Sequence, residues 1–400
     1  MSIIINKKEL ATTSLRKNAL DILESGLEAI NTEKILRNKI NIKDDILNID
    51  GNNFELQSYN RIFFVGIGKC ALDGAKVMEN ILGDYLTQGA VIDVKPDSEA
   101  SSLKKIQYFV GTHPYPSEQN ILATKEILKM VQNLNEKDLI ITLISGGGSA
   151  LFESPTVSLE ELIKTTKECT DRGADIYELN TIRKSLSQVK GGKFAQLLYP
   201  AQVVSLLFSD VLGNDISMIA SGPTVLDEPT ERVKNILLVS NRDALEAMKI
   251  KAKELGYYTS IETEKFSGNA SEMGKELAQR EPQPNTCLLF GGETTVTKIN
   301  PSADEAGMGG RNQEMALSAL AGVPANSILV CAASDGWDNT DHAGAIADTE
   351  LFEKSKTLGL YPEDYLNHKD SYNFFKKING AICTGKLGSN VSDLCIILYK

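Results

Sequence analysis

The chain has 400 residues, of which 42% are apolar and 24% charged, and its 53 aspartate and glutamate residues outweigh 42 lysine and arginine residues to give a formal net charge of −11. This composition is that of a folded globular protein, and the length predicts two domains because one core seldom grows beyond ~250–300 residues. The acidic balance argues against nucleic acid as a partner, since phosphate backbones would be repelled. No run reaches the ~20 apolar residues of a membrane span, and the N-terminus lacks a secretory cleavage pattern. We therefore expect a cytoplasmic protein that does not bind a membrane.

An alternation of strand and helix patterns predicts an α/β fold. Short apolar runs that end in glycine or aspartate recur along the chain, and they read RIFFVGIGK, DLIITLISGGG, VVSLLFSD, CLLFGGE and ILVCAASDG. Such runs followed by helices are typical of a parallel sheet covered on both faces. Helices are predicted over 11–37, 119–134, 158–172, 241–255 and 312–321, the third beginning with a capping box at Ser158. The polar segment EPQPN at 281–285 predicts a boundary between one α/β domain, 1–280, and a second, 285–400.

The glycine-rich segment SGGGS predicts an anion-binding loop. It follows an apolar strand and comprises Ser145, Gly146, Gly147, Gly148 and Ser149. Glycines allow several backbone amides to turn towards one point without obstruction by side chains. The alternative is a tight turn in which the glycines serve packing alone. Three consecutive glycines between two hydroxyl residues favour the anion site.

A second glycine loop, GIGK, allows two interpretations. Gly66, Gly68 and Ala71 spell G-x-G-x-x-A after a strand, and Asp93 has the spacing of a ribose-binding acid, which together suggest a dinucleotide site. Lys69 argues against that interpretation, because it places a cation inside the loop where phosphate oxygens would otherwise meet only amides. Lys69 could also be an ordinary solvated surface lysine.

Charged residues in other loops are further candidates. Arg183, Lys184, Lys190 and Lys193 surround Gly191 and Gly192, and such a basic run suits a phosphorylated ligand or a solvated helix face. Asp210, Asp215 and Asp335 follow apolar strands, where a carboxylate can accept a proton or bind magnesium. For Asp338 and Asp341 a turn is favoured.

The C-terminal part contributes FGGETTV and GGRNQE. Arg311 follows glycines at the start of a helix, where a guanidinium could stabilise a phosphoryl group in transfer, or could pair with Glu314 at the surface. His113 in GTHPYP is interpreted as a structural turn histidine, and His342 and His368 form no ligand pattern with it.

Taken in order, GIGK, GTHPYP, SGGGSAL, LNTIRKSLSQVKGGK, SDVLGNDISMIASGPTV, FGGETTV, GGRNQE and SDGWDNTDHAGA resemble the motifs of the class II glycerate kinase family, and the C-terminal part is similar to the MOFRL domain. The resemblance covers nearly all of the chain. It implies a larger N-terminal domain with a mostly parallel, Rossmann-like sheet, a smaller C-terminal α/β domain, and an active site in the cleft between them. It also implies ATP and Mg²⁺ as cofactors and glycerate as the substrate, with 2-phosphoglycerate as the usual product. A homodimer is left open.

The resemblance carries roles to matching positions. It implies Lys69, Asp210 and Arg311 as catalytic residues. The expected nucleotide- or substrate-binding residues are Gly66, Gly68, Ser145, Gly146, Gly147, Gly148, Ser149, Arg183, Lys190, Gly191, Gly292, Glu293, Thr294, Asn312 and Asp335. The candidate metal ligands are Asp210, Asp215 and Asp335.

Two other functions remain as alternatives. A nicotinamide-dependent hydroxypyruvate reductase is suggested by the G-x-G-x-x-A pattern together with Asp93. A non-catalytic sensor of sugar acids or phosphates is suggested by loops that could bind anions without further chemistry.

Overall fold

The structure is a computed structural model that describes residues 2–174, 176–281, 283–297 and 307–400. The chain divides into two compact units. Unit 1 comprises Met1–Asn31 and Asn241–Lys400, and unit 2 comprises Thr32–Ser240. No helix in the described part of the chain is both long and apolar enough to cross a membrane.

The secondary structure follows the alternation that the sequence predicts. The strands are β1 (Ile40–Lys43), β2 (Ile46–Ile49), β3 (Asn52–Glu55), β4 (Arg61–Ile67), β5 (Leu86–Asp93), β6 (Ile106–Val110), β7 (Asp138–Ile144), β8 (Gln202–Phe208), β9 (Val233–Val239), β10 (Tyr258–Phe266), β11 (Thr286–Gly292), β12 (Ser327–Ala333), β13 (Gly344–Asp348), β14 (Ala381–Ile382) and β15 (Asp393–Tyr399). The helices are α1 (Lys7–Leu10), α2 (Ser14–Ala29), α3 (Thr32–Lys39), α4 (Ala71–Leu82), α5 (Glu118–Met130), α6 (Gly148–Leu151), α7 (Leu159–Asp171), α8 (Ile176–Ser185), α9 (Lys193–Leu197), α10 (Asn241–Glu254), α11 (Ala270–Ala278), α12 (Arg311–Ala319), α13 (Thr349–Thr357), α14 (Pro362–Asn367) and α15 (Ser371–Ile378).

Unit 2 is built on a parallel sheet of Rossmann type. Its described strands have the order β6-β5-β4-β7-β8-β9, and each neighbouring pair is parallel. Renumbered from β4, this is the order 3-2-1-4-5-6 of the dinucleotide-binding fold. One face is covered by a buried apolar cluster that includes Val65, Ile140 and Val203 from the central strands and Phe194 from α9. The expectation of a mostly parallel, Rossmann-like sheet is thereby confirmed.

Unit 1 contains a mixed sheet, which corrects one expectation. Its described strands have the order β10-β11-β15-β12-β13-β14, and the pair β10 and β11 is parallel whereas the other pairs are antiparallel. The runs CLLFGGE and ILVCAASDG, predicted as members of a parallel sheet, are β11 and β12. They point in the same direction but do not pair, because β15 lies between them and runs antiparallel to both. The carboxyl ends of β11 and β12 therefore still lie at one edge of the sheet.

Most predicted helices are present, with altered ends. The predicted helix over 11–37 is two helices, α2 and α3, and they belong to different units. The capping residue Ser158 is confirmed, since its hydroxyl accepts a hydrogen bond from the Glu161 amide at 3.1 Å. At the other end of the predicted boundary, α10, β10 and α11 belong to unit 1 rather than to the N-terminal unit.

The division into units differs from the predicted boundary at 281–285 for a topological reason. Strand β10 pairs in parallel with β11, and α10 packs on α2, so residues 241–280 share a core with the C-terminal residues. The segment 281–285 connects α11 to β11 inside unit 1, and its Pro282 lies outside the described residues. Polar composition and prolines marked a loop, which need not be a domain boundary.

Candidate functional site

The GIGK and SGGGS loops meet at the carboxyl ends of the two central strands of unit 2. They follow β4 and β7, which flank the point where the strand order reverses and where open α/β sheets bind ligands. The Lys69 amide donates to the Gly146 carbonyl at 3.0 Å, and the Ser145 amide donates to the Ile67 carbonyl at 2.9 Å. Gly68 has a φ of +116°, and a Cβ atom built on it would lie 2.3 Å from Ser145 Oγ. The absence of a side chain at Gly68 is thus what allows the two loops to touch.

The amides of the GIGK loop are already used inside the protein. They and the amides of the following turn donate as follows: Gly68 to Ile92 O at 3.2 Å, Lys69 to Gly146 O at 3.0 Å, Cys70 to Ser145 Oγ at 3.4 Å, Ala71 to Gly68 O at 3.0 Å and Leu72 to Asp93 Oδ2 at 3.0 Å. Asp93 is fully buried and also accepts from the Val94 amide at 2.6 Å. It therefore caps α4 from within, at the place where a dinucleotide site would hold pyrophosphate.

This arrangement removes the structural basis of the reductase alternative. A ribose-binding acid must face the ligand, whereas the Asp93 carboxylate is enclosed and committed to α4. Gly66 is required by packing, because a Cβ atom on it would lie 2.6 Å from Val91 Cγ1, and the predicted ligand-binding role of Gly66 and Gly68 stays a prediction. The G-x-G-x-x-A pattern here reports close packing between strand, loop and helix.

The SGGGS loop presents donors that the protein does not use. The amides of Gly146, Gly147 and Ser149 donate to no acceptor among the described residues, whereas the Gly148 amide donates to Ser145 O at 3.3 Å. Gly147 adopts a left-handed conformation with a φ of +83°, which turns its peptide relative to its neighbours. Of the two glycine loops, the SGGGS loop is thus the one that can bind an anion through its backbone.

Side chains of opposite charge flank the SGGGS loop. A Cβ atom on Gly147 would lie 3.2 Å from Lys69 Cγ and 3.3 Å from His113 Cδ2. A Cβ atom on Gly146 would lie 2.2 Å from Asp210 Oδ2. The structure therefore brings Lys69, Asp210 and the open amides together within unit 2, as the sequence predicts.

Two further basic residues border this site. His113 is partly open to solvent, and desolvation by the surrounding protein together with the charges of Lys69 and Arg183 lowers its pKa to about 4. The imidazole is therefore neutral at neutral pH. Arg183 is half-buried in the last turn of α8, and burial lowers its pKa although Glu153 acts in the opposite direction.

Lys190 and Gly191 lie elsewhere than expected for ligand-binding residues. Lys190 is completely buried, with its Nζ 2.5 Å from Glu153 Oε2 and 3.0 Å from the Phe152 carbonyl. The Gly191 amide donates to the Ser221 carbonyl at 2.9 Å. Both residues hold the VKGG segment in place, and Lys190 cannot reach a ligand without leaving its buried carboxylate.

A hydroxyl chain behind the SGGGS loop was not anticipated from the sequence. Ser149 Oγ lies 2.8 Å from Ser221 Oγ, which in turn donates to Asn180 Oδ1 at 2.7 Å. Ala220 and Ser221 both have positive φ values, of 51° and 62°, which are uncommon for residues other than glycine. Ser221 begins the SGPT block of the sequence, and its hydroxyl is the group that contacts Ser149.

In unit 1, Arg311 is the first residue of α12 and is held by two carboxylates. Its Nε and Nη2 donate to the two oxygens of Asp393, at 2.5 and 3.0 Å, and Nη1 lies 3.0 Å from Glu293 Oε1. Burial lowers the pKa of Arg311, but the charge of Asp393 and its hydrogen bonds outweigh burial and raise it. The alternative pairing with Glu314 is wrong, since Glu314 contacts Lys369 at 2.8 Å.

Asp393 and Asp338 are the residues of unit 1 that sequence reasoning underrated. Asp393 begins β15 and lies between Gly292 and Ala333 in the sheet register. Asp338, interpreted as a turn residue, is buried and accepts hydrogen bonds from the amides of residues 312 and 313 at 3.1 and 2.8 Å, which caps α12. Burial and the charge of Asp393 raise the pKa of Asp338 to about 6.

The remaining predicted residues of unit 1 are neighbours in sequence of Glu293, Arg311 and Asp338. Thr294 and Asn312 are buried, and Thr294 Oγ1 and Asn312 Oδ1 have no hydrogen-bond partner among the described residues. The Glu293 amide donates to the Phe266 carbonyl at 2.8 Å, which anchors the turn after Gly292. Asp335 Oδ1 accepts from the Trp337 amide at 3.0 Å.

The candidate metal ligands are not assembled into a protein-only metal site. Among the described residues, no group of three or more histidine, cysteine, aspartate or glutamate side chains could hold an ion. Asp215 Oδ1 is engaged by the Ser217 amide at 2.9 Å, which is an aspartate turn. Magnesium in phosphoryl-transfer sites is commonly held by one or two carboxylates and by the substrate phosphates, so Asp210 alone still suits that kind of site.

The fold and these loops define an α/β protein with unused backbone donors and charged side chains at the switch point of a Rossmann-type sheet, where such folds bind small molecules. Residues 18–254 match the family described as Domain of unknown function (DUF4147), and residues 286–393 match the MOFRL family. The D-glycerate 2-kinase of Thermotoga maritima is 36% identical, covering 96% of this chain and 98% of that protein, and the glycerate 2-kinase of Pyrococcus horikoshii is 33% identical, covering 96% and 97%. The crystal structure of a Thermotoga maritima glycerate kinase superposes with a TM-score of 0.84 at 34% identity, covering 97% of this chain and 100% of that one. The chain belongs to the glycerate kinase family.

Proposed function

We propose that the protein is an ATP-dependent kinase that phosphorylates D-glycerate to 2-phosphoglycerate. The observation that carries the proposal is the SGGGS loop, whose unused amides lie between a lysine and an aspartate. Phosphoryl transfer depends on positioning and on neutralisation of charge rather than on covalent catalysis, and these groups supply both. The names of the full-length relatives support glycerate as the acceptor.

The proposed reaction moves one phosphoryl group and one proton. The C2 hydroxyl oxygen of glycerate attacks the γ-phosphorus of ATP, and the bond between that phosphorus and the oxygen of ADP breaks. Asp210 accepts the hydroxyl proton as general base. The Asp210 carboxylate is held against Gly146, so any bulkier residue at position 146 would displace it.

Lys69 and the SGGGS amides would stabilise the developing negative charge. The Lys69 side chain lies along Gly147, and the Lys69 amide donates to the Gly146 carbonyl, so this lysine of the GIGK loop is held against the SGGGS loop that carries the amides. A preorganised cation and amides require little reorganisation during the reaction. The neutral His113 beside them can donate a single hydrogen bond without adding charge.

Arg311 is assigned to the phosphates of the nucleotide. Its bidentate contact with the buried Asp393 fixes one edge of the guanidinium. The Glu293 side chain on the other edge is 44% exposed, against 6% for Asp393, so Glu293 can be displaced by a phosphate more readily. Thr294 and Asn312, with their unpartnered buried oxygens, are proposed to contact the same nucleotide.

Magnesium is proposed as the cofactor, bound to the nucleotide phosphates. The ion would neutralise phosphate charge, and Asp210 is the residue of unit 2 that would contact it if its carboxylate is a ligand rather than a base. The two roles can be separated, since an Asp210→Asn variant that has lost a base should retain the wild-type dependence on Mg²⁺ concentration.

The direct test is ATP consumption with D-glycerate, followed by phosphorus NMR of the product. We expect ADP and 2-phosphoglycerate in equal amounts, and a product phosphorylated at C3 would refute the proposed regiochemistry. A parallel assay uses hydroxypyruvate with reduced nicotinamide cofactor. Oxidation of that cofactor would support the alternative function as a hydroxypyruvate reductase. Stabilisation by glycerate without ATP consumption would instead indicate a sensor.

The assigned residues can be tested with matched controls in the same unit. Lys69→Ala and Asp210→Asn are expected to reduce kcat by at least ~100-fold, the scale of losing one electrostatic or acid–base group. Lys125→Ala and Asp227→Asn remove the same charges from exposed positions and should leave kcat within about twofold, as surface changes usually have little effect. Normal turnover in either site variant would remove that residue from the mechanism.

A further inference from the structure

Arg183 carries a charge that the protein does not neutralise by direct contact. It makes no hydrogen bond or ion pair with any described residue, although it is half-buried. The carboxylate that acts on it electrostatically, Glu153, is itself bound to the fully buried Lys190 at 2.5 Å. A half-buried guanidinium without a counter-ion is costly unless a ligand supplies one.

The surroundings of Arg183 indicate where that ligand would lie. Arg183 lines a small cavity together with Ser149, Glu153, Pro114 and Pro116. Ser149 belongs to the SGGGS loop, and the cavity therefore adjoins the proposed site of phosphoryl transfer.

The charges around the cavity favour an anion. The positive charges of Lys69 and Arg183 both lower the pKa of His113, so both cations lie near this imidazole. The planar fork of arginine matches a carboxylate through two parallel hydrogen bonds, which an ammonium group cannot make. Glu153 does not compete, because Lys190 holds it.

We propose that Arg183 binds the carboxylate of the acceptor and thereby selects hydroxy acids over neutral polyols. This inference rests on the proposed kinase function and assigns the acceptor end of that site. The carboxylate would anchor C1 of the substrate at Arg183 and leave the adjacent C2 hydroxyl directed towards Asp210. Binding of a nucleotide phosphate by Arg183 is the competing outcome.

The test compares Arg183→Ala and Arg183→Lys with Arg172→Ala, which removes an exposed arginine from the same unit. Initial rates give KM for D-glycerate and for ATP separately, and glyceramide replaces the carboxylate by a neutral amide. We expect Arg183→Ala to raise KM for D-glycerate by roughly 10- to 100-fold, the effect of losing a hydrogen-bonded charge, with KM for ATP changed less than about threefold. The preference for glycerate over glyceramide should fall by the same factor. Arg183→Lys should recover part of the loss, and Arg172→Ala should resemble wild type.

A second readout does not depend on turnover. Thermal unfolding of the full chain with D-glycerate alone should show a stabilisation in wild type and Arg172→Ala that is lost in Arg183→Ala. Thermal unfolding without ligand shows whether the Arg183→Ala variant is folded. If that variant is unfolded, the Arg183→Lys variant takes its place in the comparison. Three results would overturn the inference. The first is a KM for ATP that rises while the KM for glycerate is unchanged. The others are a stabilisation of Arg183→Ala by glycerate that equals that of wild type, and a wild-type protein that glycerate does not stabilise. Stabilisation by glycerate without any phosphorylation would refute the proposed function but leave the carboxylate site intact.

Discussion

Replacing Gly68 by alanine should destabilise unit 2 and disrupt its anion-binding loop. The new methyl group would lie 2.3 Å from Ser145 Oγ and 2.6 Å from the Ser145 carbonyl, at a φ of +116°. A residue held in such a conformation costs about 1–3 kcal/mol, and overpacking costs about 1–3 kcal/mol more. The carbonyl cannot rotate away without breaking the contact between the two glycine loops. We therefore expect a loss of about 2–6 kcal/mol in the free energy of unfolding, together with a fall in kcat/KM.

Gly51 provides a matched control in the same unit. It has a φ of +82°, but nothing lies within 4 Å of a Cβ atom built on it, so Gly51→Ala measures backbone strain without a clash. Urea unfolding followed by far-UV circular dichroism would compare the two variants. Hydrogen exchange of peptides covering β4 and β7 would localise the effect, and the single tryptophan, Trp337, reports on unit 1 as an internal reference. Equal stability and equal activity of the two variants would refute the argument that close contact requires Gly68.

Three further predictions concern buried charges. Lys190→Met should destabilise the protein by about 3–5 kcal/mol because Glu153 is left buried without a counter-ion, and adding Glu153→Leu should restore most of the loss; urea unfolding that shows no recovery would contradict a structural ion pair. Asp338 binds a proton in the folded state up to its pKa of about 6, whereas the unfolded chain releases it near pH 4, so the stability of unit 1 should fall by up to about 3 kcal/mol as pH rises through this interval. Asp338→Asn should remove that dependence in tryptophan-monitored unfolding at pH 4.5 and 7, and an unchanged slope would contradict it. Asp393→Asn should raise KM for ATP roughly 10-fold with little effect on KM for glycerate, because Arg311 loses the charged partner that orients it, and equal changes in both constants would argue for a general structural role.

Local pattern was sufficient to predict the elements around the site. The strands that precede GIGK, SGGGS and Asp210 are β4, β7 and β8, and adjacent parallel strands bring their carboxyl ends to one edge. Apolar periodicity reflects burial of a strand or a helix face, which is a property of neighbouring residues and is legible in sequence. For this reason Lys69, Asp210 and the SGGGS loop were correctly expected to lie together.

Sequence pattern alone predicted the α/β class, a parallel sheet and the glycine-rich and acidic loops that follow its strands, and the family resemblance added the Rossmann-like form of the first sheet. Contacts between residues remote in the chain determine which of these loops retain unused donors. Asp93 accepts a hydrogen bond from the Leu72 amide after the GIGK loop, and Glu153 forms an ion pair with Lys190. Strand β15 lies between β11 and β12 and makes the second sheet mixed. Each of these outcomes depends on a partner that is remote in the chain, and a hydrogen bond or ion pair is specified by the position of both groups. The identity of one residue therefore cannot reveal whether its donor or charge remains available to a ligand.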